Sequence, residues 1–324
     1  MSDLQPLLSV KNLKKHYPIS SGGFGQPAKL LRAVDGISFD LAQGETLGIV
    51  GESGCGKSTA GKAILRLVEP TEGSIHLDGV DVTALSPARL REERRNMQVV
   101  FQDPYSSLNP KAKAGAAVAE PLLNFERLSG REREAKVAEL FERVGLRPAH
   151  MLKYPHEFSG GQRQRLGIAR ALALGPKLIV ADEPVSALDV SVQAQVINLL
   201  VRLQDELGLS YIFIAHDLGV VRHVSHNVAV MYLGVIVEMA SVEQLFREPL
   251  HPYSQALLAS APIADPRKPA QRTVLRGDIP SPISPPTGCR FNTRCPRAFA
   301  RCSTEVPVLK DQGNGRLAAC HLYD

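Results

Sequence analysis

The chain has 324 residues, of which 44% are hydrophobic and 5% are aromatic, and it contains no Trp. That length accommodates one large α/β domain and a smaller appendage, and the scarcity of aromatic side chains argues against a carbohydrate-binding or aromatic-cage protein. The net charge of +5 arises in residues 251–324, which hold ten Lys and Arg against five Asp and Glu. This bias favours a solvated basic surface over nucleic-acid binding, because the segment has few aromatics and no recognition motif.

The amino-acid sequence predicts neither a membrane-spanning segment nor a secretory signal. No run of 18 or more apolar residues occurs, so we expect no membrane-spanning helix. Residues 1–8 lack a cationic start followed by an apolar core, so we expect no secretory signal. The sequence therefore predicts a cytosolic protein that contacts a membrane through a partner or through its surface.

The first 70 residues predict strands, a glycine-rich turn and a helix. Residues 8–13 alternate like an edge strand, 20–25 are typical of a loop, and 34–41 indicate a second strand. Residues 46–50 predict a short buried strand, and a helix is expected from 57 to 68 because Pro70 ends it. Between strand and helix lies a full match to G-x-x-x-x-G-K-[ST], the P-loop pattern whose backbone N–H groups cradle phosphates. Its residues are Gly51, Glu52, Ser53, Gly54, Cys55, Gly56, Lys57 and Ser58.

The middle of the chain alternates helices with apolar strands. Residues from about 103 to 175 carry Ala, Leu, Glu and Arg at helical spacing and predict a helical subdomain. A strand at 178–182, a helix at 192–206 and a strand at 211–215 follow, which indicates a mainly parallel sheet covered on both faces. Prolines become dense after residue 250. We therefore predict an α/β domain over 1–250 and an irregular extension over 251–324.

Four residues carry the predicted phosphate chemistry. Lys57 would neutralise the β- and γ-phosphates, and the Ser58 hydroxyl would ligate Mg²⁺. Asp182 would hold Mg²⁺, directly or through water, and the adjacent Glu183 would polarise the attacking water. Adjacent acids also occur as ordinary solvated strand ends, but the apolar run before this pair and Pro184 after it favour the catalytic interpretation.

A small glycine-rich turn precedes the acidic strand. It reads Phe158-Ser159-Gly160-Gly161-Gln162 and leads into a basic helix. With the P-loop upstream, this turn resembles the signature of the ATP-binding cassette (ABC) family, with Phe158 in place of the commoner Leu. The resemblance implies an ABC-type P-loop ATPase fold with a mainly parallel core sheet, an antiparallel β edge and a helical subdomain. It also implies that the signature contacts the γ-phosphate bound to an opposite subunit, so two cassettes must meet head-to-tail.

The family resemblance assigns further roles. Gln102 resembles the Q-loop glutamine, which touches Mg²⁺ or the lytic water and relays the nucleotide state to a membrane partner. His216 resembles the switch histidine that binds the γ-phosphate, and Asp189 fits the D-loop that bridges two cassettes. Tyr17 is a candidate for stacking on adenine, with packing as its alternative role. The expected catalytic residues are Glu183, His216 and Gln102; the Mg²⁺ ligands are Ser58, Gln102 and Asp182; and the ATP-binding residues are Tyr17, Gly51, Glu52, Ser53, Gly54, Cys55, Gly56, Lys57, Ser58, Thr59, Ser159, Gly160, Gly161, Gln162 and Asp189.

Two segments past residue 250 indicate which branch of the ABC family the chain resembles. One begins His251-Pro252-Tyr253, and the other is the Pro-rich run over 277–296. They resemble the C-terminal extension of ATP-binding subunits from dipeptide and oligopeptide importers, and residues 103–110 and 184–195 are most similar to the F-type subunit.

This resemblance implies an ATP-hydrolysing, energy-coupling subunit at the cytoplasmic face of the bacterial inner membrane. Its partners would be a second, D-type ABC ATPase, two transmembrane permeases and, through these, a periplasmic peptide-binding protein. Import of nickel, glutathione or another small solute is the main alternative, because the ATPase does not bind the solute in this family. A soluble ABC ATPase of DNA repair or translation is disfavoured, since the chain has neither a coiled-coil insertion nor a second cassette, and the extension disfavours an exporter.

Four cysteines fall within the last 36 residues: Cys289, Cys295, Cys302 and Cys320. Their spacing lacks the close Cys pairs of zinc sites and favours a four-thiolate iron–sulfur cluster, a [4Fe-4S] cluster by the family resemblance. Zinc and free or oxidised thiols are the alternatives. We expect four neighbouring arginines to offset the cluster's charge, and the cluster to staple the extension, with redox sensing as a further role. These arginines are Arg290, Arg294, Arg297 and Arg301. Because the P-loop and the cysteine segment use separate ligands, we expect nucleotide binding to survive the loss of a cysteine.

Overall fold

The computed structural model describes residues 5–19, 29–103, 108–260 and 277–324. The predicted loop at 20–25, and residues 104–107 of a segment that carries the F-type resemblance, lie outside the described residues. The strands are β1 Leu8–Ile19, β2 Lys29–Leu41, β3 Thr46–Val50, β4 Glu72–Leu77, β5 Val80–Asp81, β6 Met97–Val100, β7 Leu178–Asp182, β8 Ser210–Ile214, β9 Asn227–Tyr232, β10 Val235–Ser241, β11 Lys310–Asp311 and β12 Leu317–Ala318. The helices are α1 Lys57–Ile64, α2 Pro87–Glu93, α3 Ala114–Phe125, α4 Gly130–Arg143, α5 Gly160–Leu172, α6 Val190–Leu207, α7 Leu218–Val224, α8 Val242–Arg247, α9 Pro252–Ser260 and α10 Ala300–Thr304, with 3-10 turns at Pro148–Leu152, Pro155–Glu157 and His321–Tyr323.

The chain divides into two compact units, and unit 1 comprises Ala42–Thr46 and Ala84–Ala215. Strands β6, β7 and β8 lie parallel with β7 in the middle, where Met97 pairs with Leu178 and Asp182 pairs with Ile214. Residues 178–181 of β7 are buried, as expected of an apolar strand covered on both faces. Helix α3 contacts both α4 and α5, and together they form the predicted helical subdomain.

Unit 2 comprises Gln5–Leu41, Leu47–Thr83 and His216–Asp324. Strands β2, β1, β4 and β5 form an antiparallel sheet in that order, which is the predicted antiparallel β edge. The P-loop strand β3 runs parallel to β9, which pairs antiparallel with β10, and β12 extends this sheet by pairing with β10 and β11. Part of the C-terminal segment is thus hydrogen-bonded into the unit that holds the P-loop.

Helix α1 ends at Ile64 and not at residue 68 as the sequence predicts. Arg66 adopts a left-handed backbone with φ 47°, and the Leu67 N–H donates back to the Lys62 carbonyl at 2.9 Å. A left-handed residue that returns a late N–H to the last turn is a common helix end. Arg66 tolerates this conformation because its guanidinium donates to Glu69 at 3.0 Å and to the Val82 carbonyl at 2.9 Å.

Across the described parts of the chain, no helix is both long and apolar enough to cross a membrane.

Candidate functional site

The P-loop is shaped by close backbone approaches. Gly51 follows the buried strand β3, and Gly56 stands at the start of α1 with φ 105°. A Cβ at Gly56 would collide with the Ala33 carbonyl oxygen, and one at Gly51 with the Met231 carbonyl oxygen. Only glycine satisfies both the left-handed φ and the absence of space. The loop backbone can therefore present its N–H groups at the start of α1, where the helix dipole favours an anion.

Lys57 lies folded against the loop that it follows. Its ammonium donates to the Gly51 carbonyl at 2.8 Å and to the Glu52 carbonyl at 3.0 Å, and the side chain is buried. Burial also raises the pKa of the neighbouring Cys55 thiol, so that residue contributes no negative charge here. The positive charge of Lys57 is thus held where the sequence predicts phosphate oxygens.

Unit 1 brings two sequence-predicted residues into direct contact. The Gln102 amide donates to Glu183 Oε2 at 3.0 Å, and the Glu183 N–H donates to the Ile214 carbonyl at 2.9 Å. Glu183 has φ 48°, a left-handed conformation that costs energy in a non-glycine residue and occurs most often at functional sites. Asp182 is the last residue of β7, whereas Glu183 has a left-handed backbone. The two adjacent acidic residues therefore differ in backbone conformation.

The signature turn forms the N-terminus of α5. Ser159 Oγ accepts from the Gln162 N–H at 3.3 Å, and Gln162 Oε1 accepts from the Ser159 N–H at 3.0 Å, which is a reciprocal capping box. Ser159 and Gly160 are exposed, whereas Gly161 is buried. Gly161 packs so closely on α6 that a Cβ there would collide with Val192 Cγ1. The exposed start of a 13-residue helix is suited to an anion, and Gln162 has a structural role in addition to the predicted one.

Three other predicted residues lie at the ends or edges of elements. Asp189 is the exposed N-cap of α6. His216 is exposed and directly precedes Asp217, which caps α7 by accepting from the Gly219 N–H at 2.7 Å. Tyr17 lies on β1, half-buried, with the Lys15 ammonium 4.7 Å from its ring centroid.

The sequence did not reveal the residues that hold Glu52 of the P-loop. Arg294, from the C-terminal segment, donates to both Glu52 carboxylate oxygens, at 2.7 and 3.0 Å. The Glu52 N–H donates to the Tyr253 hydroxyl at 2.8 Å. Arg294 lies 242 positions along the chain from Glu52, so no local pattern could have indicated the pair.

The four C-terminal cysteines line one small cavity, together with His251, Pro252, Phe291, Asn292, Arg297, His321 and Leu322. Burial and the neighbouring thiols raise the pKa of Cys289 to about 11, and burial raises the pKa values of Cys295 and Cys320. Among the described residues, no group of three or more His, Cys, Asp or Glu is arranged to hold a metal ion. The predicted iron–sulfur cluster therefore has no support from metal-site geometry.

Three of the four arginines that we expected to offset the cluster's charge pair with carboxylates. Arg290 pairs with Asp35, Arg294 with Glu52, and Arg301 with Glu305 and Asp324. Only Arg297 lines the cysteine cavity. The other three guanidiniums are committed to carboxylates, which the sequence spacing alone did not reveal.

Comparison with known proteins identifies the family to which the chain belongs. Residues 34–186 match the family model "ABC transporter", and 237–302 match "Oligopeptide/dipeptide transporter, C-terminal region". The chain is 54% identical to the probable peptide ABC transporter ATP-binding protein y4tS of Sinorhizobium fredii, over 99% of this chain and 91% of that protein. It is 51% identical to the dipeptide transport ATP-binding protein DppF of Escherichia coli, over 99% and 95% of the two chains.

A solved structure supports the same assignment. An ATP-binding cassette determined as a dimer in a post-hydrolysis state with ADP and Pi has a TM-score of 0.65 to this chain. It is 31% identical, and the match covers 72% of this chain and 98% of that one. With both family models and full-length relatives in agreement, the chain belongs to the ABC transporter family, among the ATP-binding proteins of peptide transporters.

Proposed function

We propose that this chain is the ATP-hydrolysing, energy-coupling subunit of an importer for dipeptides or oligopeptides. The observation that carries the hydrolytic role is the Gln102–Glu183 contact of 3.0 Å, at a strained residue directly after the Asp182 strand end. Full-length similarity to peptide-transport ATP-binding proteins, including the C-terminal region, supports the substrate class.

The chemistry follows from the individual groups. The P-loop N–H groups and Lys57 bind the phosphates. Ser58 and Asp182 would hold Mg²⁺, which would offset the negative charge that develops during phosphoryl transfer. Glu183 accepts a hydrogen bond from the attacking water and orients it, while the Gln102 amide keeps the carboxylate in place. His216 donates to the γ-phosphate, and Tyr17 stacks on adenine.

Each complete ATP site combines the P-loop of one cassette with the signature turn of another. Ser159 and Gly160 lie exposed at the start of α5, and the nearby Val190 is 81% exposed despite being apolar. We propose that a D-type ATPase covers this surface, and that two permeases and a periplasmic peptide-binding protein complete the transporter at the inner membrane. The division into a domain over 1–250 and an extension over 251–324 belongs to the same proposal.

The cysteine cavity is proposed to hold a [4Fe-4S] cluster. Four thiols that line one cavity are the donor set of such clusters. Cys289, Cys295, Cys302 and Cys320 would supply the four thiolate ligands of the cluster. The cluster would crosslink segments around residues 289, 295, 302 and 320, which have little core of their own.

Metal analysis tests the cluster. We expect anaerobically prepared protein to be brown and to contain about four irons per chain. Cys295→Ser should lower the iron content, whereas Cys55→Ser, which removes a cysteine outside the cavity, should not. Stoichiometric zinc without iron, or no metal at all, would refute this part of the proposal.

Transport by the assembled complex tests the function. The chain would be purified with its permeases and second ATPase, reconstituted in vesicles, and supplied with the binding protein and ATP. We expect ATP-dependent uptake of a labelled dipeptide or oligopeptide, and no uptake of Ni²⁺ or glutathione. Uptake of either of these without peptide uptake would replace the peptide assignment and leave the ATPase assignment intact.

A further inference from the structure

Among the described residues, three hydrogen bonds join the C-terminal segment to the P-loop, all at Glu52. Two come from the Arg294 guanidinium to the two carboxylate oxygens, at 2.7 and 3.0 Å. The third joins the Glu52 N–H to the Tyr253 hydroxyl at 2.8 Å. A bidentate Arg–carboxylate pair fixes both distance and orientation, so the backbone at Glu52 has little freedom to move.

Arg294 is itself rigidly placed. Its side chain is 5% exposed, it also donates to the Tyr232 hydroxyl at 3.4 Å, and its Nε has no hydrogen-bond partner among the described residues. A buried guanidinium with an unsatisfied N–H is costly unless a strong ion pair offsets the lost hydration. Glu52 provides that pair, so the two side chains hold each other in one arrangement.

Arg294 lies in the turn between Cys289 and Cys295, and backbone hydrogen bonds stabilise this turn. The Arg294 N–H donates to the Phe291 carbonyl at 3.0 Å, and the Asn292 N–H donates to the Cys289 carbonyl at 3.0 Å. The Phe291 ring packs against Tyr232 and Tyr253, with ring centroids 5.3 and 5.4 Å away. Tyr253 is therefore held by the same aromatic cluster that positions the turn.

We propose that Arg294 and Tyr253 are positioning residues that hold the P-loop in its phosphate-binding shape. Both side chains contact Glu52, so they act through the loop. The proposal rests on the ATP-binding function proposed above. Its consequence is that the C-terminal segment supports the ATP site, and a disturbance of that segment weakens ATP binding.

The test measures ATP affinity and turnover separately. Arg294→Gln, Arg294→Lys, Glu52→Gln, Tyr253→Phe and the double variant Glu52→Gln/Arg294→Gln would be compared with wild type. Arg301→Met is the matched control, because that exposed arginine of the same segment pairs only with Glu305 and Asp324 among the described residues. The dissociation constant of MgATP is measured by calorimetry on the full chain. KM and kcat are measured in the assembled transporter, and thermal unfolding is recorded for each variant.

We expect Arg294→Gln to raise the dissociation constant and KM for MgATP roughly tenfold, the lower range for partners that orient a binding group. The kcat should stay within about twofold, because bound ATP restores the loop. Arg294→Lys should recover part of the affinity, since it keeps the charge but loses the bidentate geometry. Tyr253→Phe, which removes only a hydroxyl, should weaken binding about fivefold, as for the loss of one hydrogen bond.

The double variant identifies the route of the effect. If Arg294 acts through Glu52, Glu52→Gln/Arg294→Gln should bind MgATP no more weakly than the worse of its two single variants. Additive losses, or a lower melting temperature with unchanged affinity in Arg294→Gln and Tyr253→Phe, would overturn the proposal and leave a purely structural contact. Wild-type protein that binds no MgATP would instead overturn the proposed function, and the positioning role with it.

Discussion

The strained backbone of Glu183 and its contact with Gln102 distinguish this carboxylate from ordinary strand-end acids. Glu183→Gln keeps the shape and the backbone hydrogen bond but removes the base. We expect ATP binding to persist while turnover falls about 10²- to 10⁴-fold, the usual contribution of a general base. The measurement is phosphate release by the assembled transporter, with Glu206→Gln, which alters an exposed carboxylate of α6, as control. Near-wild-type hydrolysis in Glu183→Gln would remove Glu183 from the catalytic role.

The places of Lys57 at the start of a helix, Asp182 at the end of a strand and Ser159 at a helix cap were predictable, because each belongs to a short sequence pattern. Their chemical roles stay predictions. The left-handed φ of Glu183 was not predictable, because non-glycine residues rarely adopt it and no local signal announces it. The sequence also led us to treat the P-loop and the cysteine segment as independent. The Arg294–Glu52 pair joins them, and a charge pair across 242 positions depends on the tertiary fold alone.

At the scale of elements, the short buried strands were predicted best, whereas β1 and β2 are longer than the strands predicted over 8–13 and 34–41. The bounds of β7 agree with the prediction, and those of α6 and β8 differ by no more than two residues, because apolar strands and an amphipathic helix give strong periodic signals. Helix α1 was predicted too long, since its end depends on Arg66 and not on a Gly or Pro. The small strands β11 and β12 have two residues each, too short for any period to appear.

The packing of α5 against α6 gives a second prediction. A Cβ at Gly161 would lie 2.3 Å from Val192 Cγ1, so Gly161→Ala must displace one helix. We expect it to lower the stability by about 1–3 kcal/mol, as overpacking does, and to reduce ATPase activity because the signature turn moves. Val192→Ala removes the clashing methyl and should restore much of both in the double variant. Thermal unfolding and ATPase assays check this, and failure of the rescue would show that Gly161 is needed for a reason other than space.

His251, which is buried directly before α9, leads us to predict that the stability of the fold depends on pH. Burial lowers the pKa of His251 to about 3 from the ordinary 6.5, and its Nδ1 accepts from the Tyr253 N–H at 3.0 Å. Because the folded-state pKa is depressed, the stabilisation from neutral His251 is present above pH 6.5 and is lost as the pH falls towards 3. Burial raises the pKa of the adjacent Glu238, which therefore acts with the opposite sign and does not cause this loss.

We therefore expect the melting temperature to fall between about pH 6 and pH 4, and His251→Asn to reduce that dependence. Asn can still accept from the Tyr253 N–H but cannot be protonated. His223→Asn, on α7, is the matched control and should keep the wild-type dependence. Identical acid profiles for wild type and His251→Asn would show that other groups control acid stability.

For the whole molecule, one chain holds one P-loop and one signature turn. Under the proposal that two cassettes share each ATP site, hydrolysis by this chain requires a second cassette. A chain without its partner lacks the N–H and hydroxyl groups that a second signature turn would direct at the γ-phosphate. Loss of one such preorganised donor set typically costs about 100-fold or more in rate.

The isolated chain should therefore bind MgATP but hydrolyse it at least about 100-fold more slowly than the complex with a second cassette and the permeases. The measurement is the initial rate of phosphate release across sizing-column fractions, with the Glu183→Gln chain giving the background. Adding the second cassette should raise the rate with a dependence on the concentration of both proteins, because the active species is their dimer. If monomer fractions turn over ATP as fast as the membrane complex, one chain must form a complete site. The exposed signature turn and the 81%-exposed Val190 would then need another explanation, such as docking of a partner that takes no part in hydrolysis.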